Sequence, residues 1–182
     1  QVMANWHKGD LMKKLHLIRH AKSSWQDAAL ADIDRPLNKR GVKTCALMGP
    51  YIYKAGCAFS NVYCSPALRA LSTITLLNQS LPEVDIRWQI VDDLYTFSSD
   101  DLLSFCQGLD ESMAELLIVG HNPALTDFCN ELSESNIDNI PTCGYVQLSL
   151  DKNCRWQDIP EVCFQLTSFL HPKKLLMLNN KV

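Results

Sequence analysis

Two guanidinium groups and two imidazoles occupy comparable places in this chain. The four residues are Arg19, His20, Arg69 and His121, and each follows a short apolar run closely. If these runs are strands of a mainly parallel sheet, their carboxyl ends meet at one edge and the side chains converge there. Guanidinium groups stay charged and bind phosphate oxygens bidentately. The spacing therefore predicts a pocket for a phosphoryl group.

The strands that would position these residues are predicted from apolar runs with β character. They are residues 15–19, 61–65, 84–90, 116–120 and 145–150, followed by a turn at 151–153, a hairpin strand at 154–158 and a possible strand at 164–169. Helical spacing predicts helices over 39–54, from 66 onward, over 100–109 and over 124–132, with a terminal helical turn at 175–178.

Local signals place the ends of the first two helices. Asn38 is a good N-cap for the first, and Gly56 should stop it. Gly49-Pro50 inside that helix predicts a kink or a break. For the second helix, Ser65 is the expected N-cap and Pro66 the expected first helical residue.

Alternation of strands and helices predicts an α/β fold, a three-layer sandwich with a mainly parallel central sheet flanked by helices. The chain has 182 residues, of which 47% are apolar and 20% charged, a size and composition that suit one domain. We expect this domain to cover residues 12–182. Residues 1–11 are expected to be an upstream extension or a vector-derived remnant. No nucleic-acid or membrane partner and no domain boundary is expected.

The composition of the chain bears on its partners, its location and the state of its cysteines. The net charge of −3 argues against a nucleic-acid footprint, which needs a basic face. No window reaches about 18 apolar residues, the usual length of a membrane span, so a cytoplasmic location is expected. The eight cysteines form no Cys-x-x-Cys pair and no zinc-type cluster, so we interpret them as free thiols in the core. An even number of cysteines would also allow disulfides.

Four motifs together resemble the histidine phosphatase superfamily, and most closely its SixA-type phosphohistidine phosphatase branch. They are Leu17-Ile18-Arg19-His20-Ala21-Lys22-Ser23, Arg35-Pro36-Leu37-Asn38-x-x-Gly41, Ser65-Pro66-x-x-Arg69-Ala70-x-x-Thr73 and Val119-Gly120-His121-Asn122-Pro123. The resemblance spans about residues 13–160 and rests on four motifs in the right order.

The resemblance implies a covalent mechanism without a metal or another cofactor. His20 would be the nucleophile that takes the phosphoryl group, and water would then hydrolyse the phosphohistidine. Arg19, Arg69 and His121 would stabilise charge on the phosphoryl oxygens, and the position of His121 also suits proton donation.

Two departures from the superfamily bear on the substrate. The segment Asp92-Asp93-Leu94-Tyr95 offers no Leu-x-Glu match for the glutamate that serves as acid in relatives acting on alkyl esters. An imidazole leaving group needs less protonation than an alkoxide, so this gap favours phosphohistidine. Ala21-Lys22 replaces Gly-Glu or Gly-Gln, and the added charge of Lys22 would favour an acidic partner. The chain also lacks room for a large lid insertion, which predicts an open site.

Several residues around the pocket have two readings. Arg35 is either a third pocket cation or a salt-bridge partner of a nearby aspartate, and Asn122 either contacts substrate or caps the helix at Pro123. Lys22 and Ser23 are expected to contact substrate. Structural roles are expected for the remaining candidates: a packed or hydrogen-bonded His16, helix packing for Thr73, and a core or rim position for Trp25.

The expected partner is a phosphorylated protein of the phosphotransfer type, or else a small phosphate compound. Small phosphomonoesters are the alternative substrates for an enzyme. A phosphotransferase or mutase is also possible, although such an enzyme would want a deeper site. A non-catalytic phosphoprotein-binding module is the alternative outside catalysis. The sequence leaves the oligomeric state open.

Overall fold

The computed structural model describes residues 12–150, 154–160 and 164–179. The elements within these ranges are β1 (Lys13–Arg19), α1 (Lys39–Lys54), β2 (Val62–Cys64), α2 (Leu68–Gln79), β3 (Trp88–Ile90), α3 (Ser99–Gln107), β4 (Glu115–Gly120), α4 (Ala124–Ser133), β5 (Tyr145–Leu150), β6 (Gln165–Leu170) and α5 (Pro172–Asn179). The expected extension at 1–11 and the turn predicted at 151–153 lie outside the described residues.

The six strands form one sheet in the order β3-β2-β4-β1-β5-β6. Strands β1 to β4 pair in parallel, whereas β5 and β6 pair antiparallel at one side. The prediction of a mainly parallel sheet is confirmed. Because β1 lies between β4 and β5, the run that ends in Arg19 is central, and its apolar residues are fully buried.

Helices cover both faces of the sheet, as the three-layer prediction requires. Alternate residues of β1 supply the two cores: Leu15 and Leu17 pack with residues of α3 and α4, and Ile18 packs with residues of α1 and α2. His16 is buried and structural, as predicted. Its ring nitrogens contact the Tyr145 hydroxyl at 2.7 Å and the Glu115 carboxylate at 2.6 Å.

Helix α1 confirms two predictions and corrects one. Asn38 caps it by accepting a hydrogen bond from the Gly41 amide at 2.8 Å, and Gly56, with φ 106°, follows its end. The predicted break at Gly49-Pro50 is wrong, since the helix continues through both residues. Gly49 instead allows close packing on α2, because a Cβ there would overlap the Ser80 hydroxyl.

The predicted start of α2 is also wrong. The helix begins at Leu68 with Ala67 at the N-cap, and no side chain caps it. The Ser65 hydroxyl accepts from the Ala67 amide at 3.2 Å, which holds the turn before the helix rather than its first turn. The Ser65 hydroxyl also contacts the ring of His121, so its second hydrogen bond does not cap the helix.

The remaining corrections concern the edges of the fold. Strand β3 covers only the last three residues of the predicted 84–90. The predicted strand at 154–158 is a 3₁₀ turn, because the buried Trp156 donates its amide to Glu111 at 2.9 Å and its indole N–H to the Met113 carbonyl at 2.9 Å. Strand β6 confirms the possible strand at 164–169, and α5 is longer than the predicted helical turn.

Two further observations complete the fold. No helix in the described ranges is long and apolar enough to cross a membrane. All seven cysteines in these ranges are free and buried, as predicted, whereas Cys163 lies outside them.

Candidate active site

A cavity of about 400 Å³ opens at the carboxyl edge of the parallel strands. Strand β1 delivers Arg19 and His20 there, the first turn of α2 delivers Arg69, and β4 is followed directly by His121. The structure thus brings the four predicted residues together: Arg19, His20 and Arg69 line the cavity, and the ring of His121 packs beside that of His20. Residues lining the cavity are Arg19, His20, Lys22, Ser23, Trp25, Asp32, Arg35, Arg69, Phe97, Asn122 and Thr142.

The imidazole of His20 is held in one tautomer. Its Nδ1 lies 2.7 Å from the carbonyl oxygen of Ala21, and a carbonyl can only accept, so Nδ1 carries the proton. The other nitrogen, Nε2, is therefore left with its lone pair. The Nε–H of Arg69 donates to this lone pair at 3.3 Å.

The electrostatic surroundings keep His20 uncharged. Burial is the main cause that lowers the pKa of His20 to about 4; the positive charges of Arg69, Arg19 and Arg35 act in the same direction, and a hydrogen bond to Ala21 acts against them. The imidazole is consequently neutral near pH 7. A neutral imidazole with a free lone pair is the form that can act as a nucleophile.

The ring of His121 lies beside that of His20, with the ring centroids 5.1 Å apart. Its Nε2 contacts the Ser65 hydroxyl at 2.7 Å, and its buried Nδ1 has no partner in the described part of the chain. Burial lowers the pKa of His121 to about 3, with the neighbouring His20 and Arg69 as further causes. Both imidazoles are therefore neutral at neutral pH.

Arg19 is anchored by the segment that follows α4. Its Nη1 donates to the carbonyl of Ile140 at 2.9 Å, whereas its buried Nε has no partner among the described residues. The backbone carbonyls of Arg19 and His20 both accept from the amide of Cys143, at 3.0 and 3.1 Å. These bonds fix the chain at the point where it leaves the sheet.

Asp32 is a site residue that the sequence analysis did not select. Its backbone carbonyl and carboxylate accept from the two Nη atoms of Arg69 at 2.6 and 2.9 Å, and the carboxylate also accepts from Arg35 at 2.8 Å. A hydrogen bond from the Tyr95 hydroxyl is the main cause that holds the pKa of Asp32 well below its usual range. Asp32 is thus an ionised carboxylate that holds the guanidinium groups of Arg35 and Arg69 in place.

Both readings of Arg35 apply. It forms the salt bridge with Asp32, and it lines the cavity as a third cation, with its Nη1 donating to the Ser23 hydroxyl at 2.8 Å. Its guanidinium carbon lies 3.7 Å from the ring centroid of Trp25. Trp25 is 73% exposed, which places it at the rim rather than in the core.

Three other predicted contact residues, Lys22, Ser23 and Asn122, also line the cavity. Asn122 is not the N-cap of α4, a position that Pro123 takes. Its Oδ1 nevertheless accepts from the Thr126 amide at 3.3 Å, and its Nδ2 donates to the Ile140 carbonyl at 2.9 Å. Both groups hold Asn122 in place beside the cavity.

Three further residues lie near the site. Thr73 was predicted to have another role, and Tyr95 and Phe97 were not predicted to lie there. Thr73, expected to serve in helix packing, accepts from the Ala21 amide at 2.9 Å and so supports the turn after His20. The rings of Tyr95 and Phe97 lie 5.5 and 5.8 Å from that of His121. Both follow the short 3₁₀ turn Asp92–Leu94, in the segment that lacks the glutamate of the superfamily.

Within the described ranges, no group of three or more His, Cys, Asp and Glu residues could hold a metal ion. The cations that line the cavity instead offer several N–H donors around one space, which suits a tetrahedral oxyanion.

Part of the chain matches a protein-family model. The model described as "Histidine phosphatase superfamily (branch 1)" matches residues 15–98, which include most of β1, the Asp32 turn and α2. An uncharacterized protein of Mycobacterium leprae is 29% identical over 168 residues, covering 86% of this chain and all of the relative. An uncharacterized chloroplastic protein of Arabidopsis thaliana is 24% identical over 81% of this chain and 71% of its own length.

Solved structures share the fold. The structure from Nakamurella multipartitia named SixA matches with a TM-score of 0.75 and 23% identity, covering 88% of this chain and 96% of its own. The protein histidine phosphatase SixA complexed with tungstate matches with a TM-score of 0.72 and 20% identity, covering 89% and 99%. The fold is thus that of the SixA structures.

Proposed function

We propose that the chain is a member of the histidine phosphatase superfamily that hydrolyses phosphohistidine on a protein partner through a covalent intermediate at His20. The observation that carries the proposal is the state of this imidazole. It is neutral, its Nδ1 proton is held by the Ala21 carbonyl at 2.7 Å, and its Nε2 lone pair faces the cationic cavity.

In the first step, Nε2 of His20 attacks phosphorus in line with the leaving nitrogen of the substrate. The Nε2–P bond forms as the P–N bond of the substrate breaks, and the bonding pair leaves with the substrate imidazole, which takes a proton from solvent in the open cavity. In the second step, water attacks the phosphohistidine, releases inorganic phosphate and returns the lone pair to Nε2.

Cations around the cavity stabilise the transferring phosphoryl group. Arg19, Arg35 and Arg69 all line the cavity, and hydrogen bonds in the free protein already hold each guanidinium in place. Because these donors are preorganised, little reorganisation opposes the reaction. Asp32 acts as a positioning residue, since its carboxylate binds both Arg35 and Arg69.

The state of the acidic groups favours phosphohistidine over alkyl esters. Asp32 is ionised by its contacts with Tyr95, Arg35 and Arg69, so it holds no proton to give to an alkoxide. Imidazole departs with less assistance than an alkoxide does. The neutral imidazole of His121 has one N–H, which can stabilise a phosphoryl oxygen from Nδ1, because Nε2 is paired with the Ser65 hydroxyl and Nδ1 has no partner among the described residues.

The shape of the cavity mouth supports a protein substrate. Trp25 and Phe97 line the cavity and are 73% and 51% exposed, so the rim presents two aromatic rings to an approaching surface. Exposed aromatic side chains are enriched where proteins bind one another. The SixA relative complexed with tungstate indicates that this fold can hold a tetrahedral oxyanion.

A substrate panel tests the proposal. We expect kcat/KM for a phosphohistidine-bearing phosphotransfer protein to exceed that for p-nitrophenyl phosphate, with sustained turnover that persists in EDTA. Higher kcat/KM on the small ester would contradict the proposed substrate. Release of at most one phosphate per chain would contradict the enzyme and favour a phosphoprotein-binding module.

A further inference from the structure

A second, smaller cavity adjoins the catalytic cavity. Its volume is about 100 Å³, and it shares Lys22 and Thr142 with the larger cavity. The other polar groups that line it come from the first two turns of α1, Arg40 and Thr44, and from the start of α5, His171 and Lys173. This volume suits a compact group rather than an extended ligand.

The small cavity is strongly cationic. Lys22, Arg40 and Lys173 line it, and no aspartate or glutamate does. None of these three cations takes part in an ion pair within the part of the chain that the structure describes. Since the whole chain carries a net charge of −3, a cluster of unpaired cations here is a local feature and not a consequence of composition.

Other groups at the cavity also suit an anion. Helices α1 and α5 both begin beside it, so their positive dipole ends add to the side-chain charges. The described residues contain three buried side-chain nitrogens without a hydrogen-bond partner, in Arg19, His121 and His171. Two of them belong to the catalytic site and the third to a residue that lines the small cavity. Unpaired polar atoms thus occur where a ligand would supply partners.

We propose that the small cavity is a second anion site, which binds a phosphoryl or carboxylate group that the substrate carries beside the phosphoryl group that reacts at His20. The inference rests on the proposed function, because it places the reacting phosphoryl group in the larger cavity. Lys22 and Thr142 lie between the two sites and can contact both groups. A substrate with two neighbouring anionic groups therefore binds more tightly than one with a single group.

The test uses calorimetry, which requires no turnover. The binding of methylphosphonate is compared with that of bisphosphonates whose two phosphonate groups are joined by one, two or three methylene groups. We expect at least one bisphosphonate to bind the full chain about three- to tenfold more tightly than methylphosphonate, as two partly exposed ion pairs would give. This advantage should shrink as the salt concentration rises.

Variants connect the advantage to the cavity. Arg40→Gln and Lys173→Gln should each reduce the ratio of the two affinities, and together they should abolish it. Both side chains are exposed, so the substitutions leave the core intact. Lys174→Gln is the matched control, because this exposed lysine is adjacent to Lys173 but does not line the cavity. The proposal is overturned if the ratio of the two affinities is unchanged in the double variant. It is also overturned if no bisphosphonate binds more tightly than methylphosphonate and the peptides described next show no difference in kcat/KM.

A pair of phosphohistidine peptides identifies the source of the second anion. The two peptides differ only in having Glu or Gln beside the phosphohistidine. A higher kcat/KM for the Glu peptide that disappears in the double variant assigns the site to an acidic side chain of a protein substrate. An advantage confined to bisphosphonates assigns it to a small bis-phosphorylated compound. Loss of turnover on every substrate, with the bisphosphonate advantage intact, would contradict the proposed function while leaving the second site standing.

Discussion

The Nε of Arg69 lies 3.3 Å from the Nε2 of His20, the nitrogen that bears the lone pair. The remaining guanidinium nitrogens of Arg69 bind the carbonyl and the carboxylate of Asp32. One cation thus connects the proposed nucleophile to an acidic residue on a different segment. When a phosphoryl group enters, this N–H can turn from the lone pair to a phosphoryl oxygen while Asp32 keeps the guanidinium in place.

The first prediction concerns Arg69. Arg69→Lys should lower kcat/KM by about 10²- to 10³-fold, because an ammonium cannot contact both Asp32 and the phosphoryl group in the geometry of a guanidinium. Steady-state kinetics provides the measurement. Arg87→Lys is the control, since Arg87 forms an exposed ion pair with Asp85 and does not line the cavity. Equal activity of the two variants would contradict the role given to Arg69.

The second prediction concerns Asp32 as a positioning residue. Asp32→Asn should lower kcat/KM by about 10- to 100-fold, because Arg35 and Arg69 lose the carboxylate that orients them. The exposed Asp34 lies in the same 3₁₀ turn, forms no ion pair with other described residues, and provides the matched control Asp34→Asn. A purely structural role would lower the melting temperature of Asp32→Asn and leave its kcat unchanged, which is the opposite of the expected result.

The third prediction concerns pH. Nuclear magnetic resonance of the His20 ring should show a titration midpoint near the lowered pKa of about 4, rather than the ordinary value of 6.5. In Arg69→Gln the midpoint should rise, because one of the positive charges that lower the pKa is removed. A midpoint near 6.5 in the unsubstituted protein would mean that His20 is not buried among cations in solution.

Stability should follow the same pKa shift. The unfolded chain binds protons at His20 from about pH 6.5 downward, whereas the folded chain does so only near pH 4. The contribution of neutral His20 to folding stability is therefore complete above about pH 6.5 and is lost as the pH falls towards 4. Denaturant unfolding at several pH values measures this slope, which His20→Asn should reduce.

The fourth prediction concerns the close packing of Gly41 in α1 against the backbone of Lys22, in the loop that follows His20. A Cβ at Gly41 would overlap the backbone carbonyl of Lys22, which cannot move aside as a side chain can. Gly41→Ala should therefore lower the free energy of unfolding by about 1–3 kcal/mol. At Gly108 the nearest atom to an added Cβ is 3.6 Å away, so Gly108→Ala should be nearly neutral. Similar losses in both variants would contradict this packing argument.

The convergence of four residues was predictable because it depends on simple periodicity. Short apolar runs end in Arg19-His20 and in His121, and parallel pairing of β1 with β4 brings such ends to one edge. Arg69 follows from the same rule applied to β2 and α2. The fold class was predictable for this reason too, since strands and helices alternate along the chain.

What the sequence did not predict depends on contacts between distant residues. Asp32 and Arg69 are 37 positions apart, and only the folded 3₁₀ turn brings them together, although the spacing of Asp32 and Arg35 was a usable local signal. Ser65 was read as a helix cap because local statistics do not show that His121 takes its hydroxyl. The strand predicted at 154–158 failed similarly, since burial of Trp156 against Met113 overrides its local pattern.

The most direct test of the account is acid-quench trapping of the intermediate with a substrate labelled in its phosphoryl group. The account predicts that the protein, quenched within its first turnover, carries label that is labile in acid and stable in base, and that His20→Ala carries none and has no turnover. Retention of label or of turnover in His20→Ala would contradict it. Sustained turnover of the unsubstituted protein with no trapped label at any quench time would count equally against a covalent step at His20.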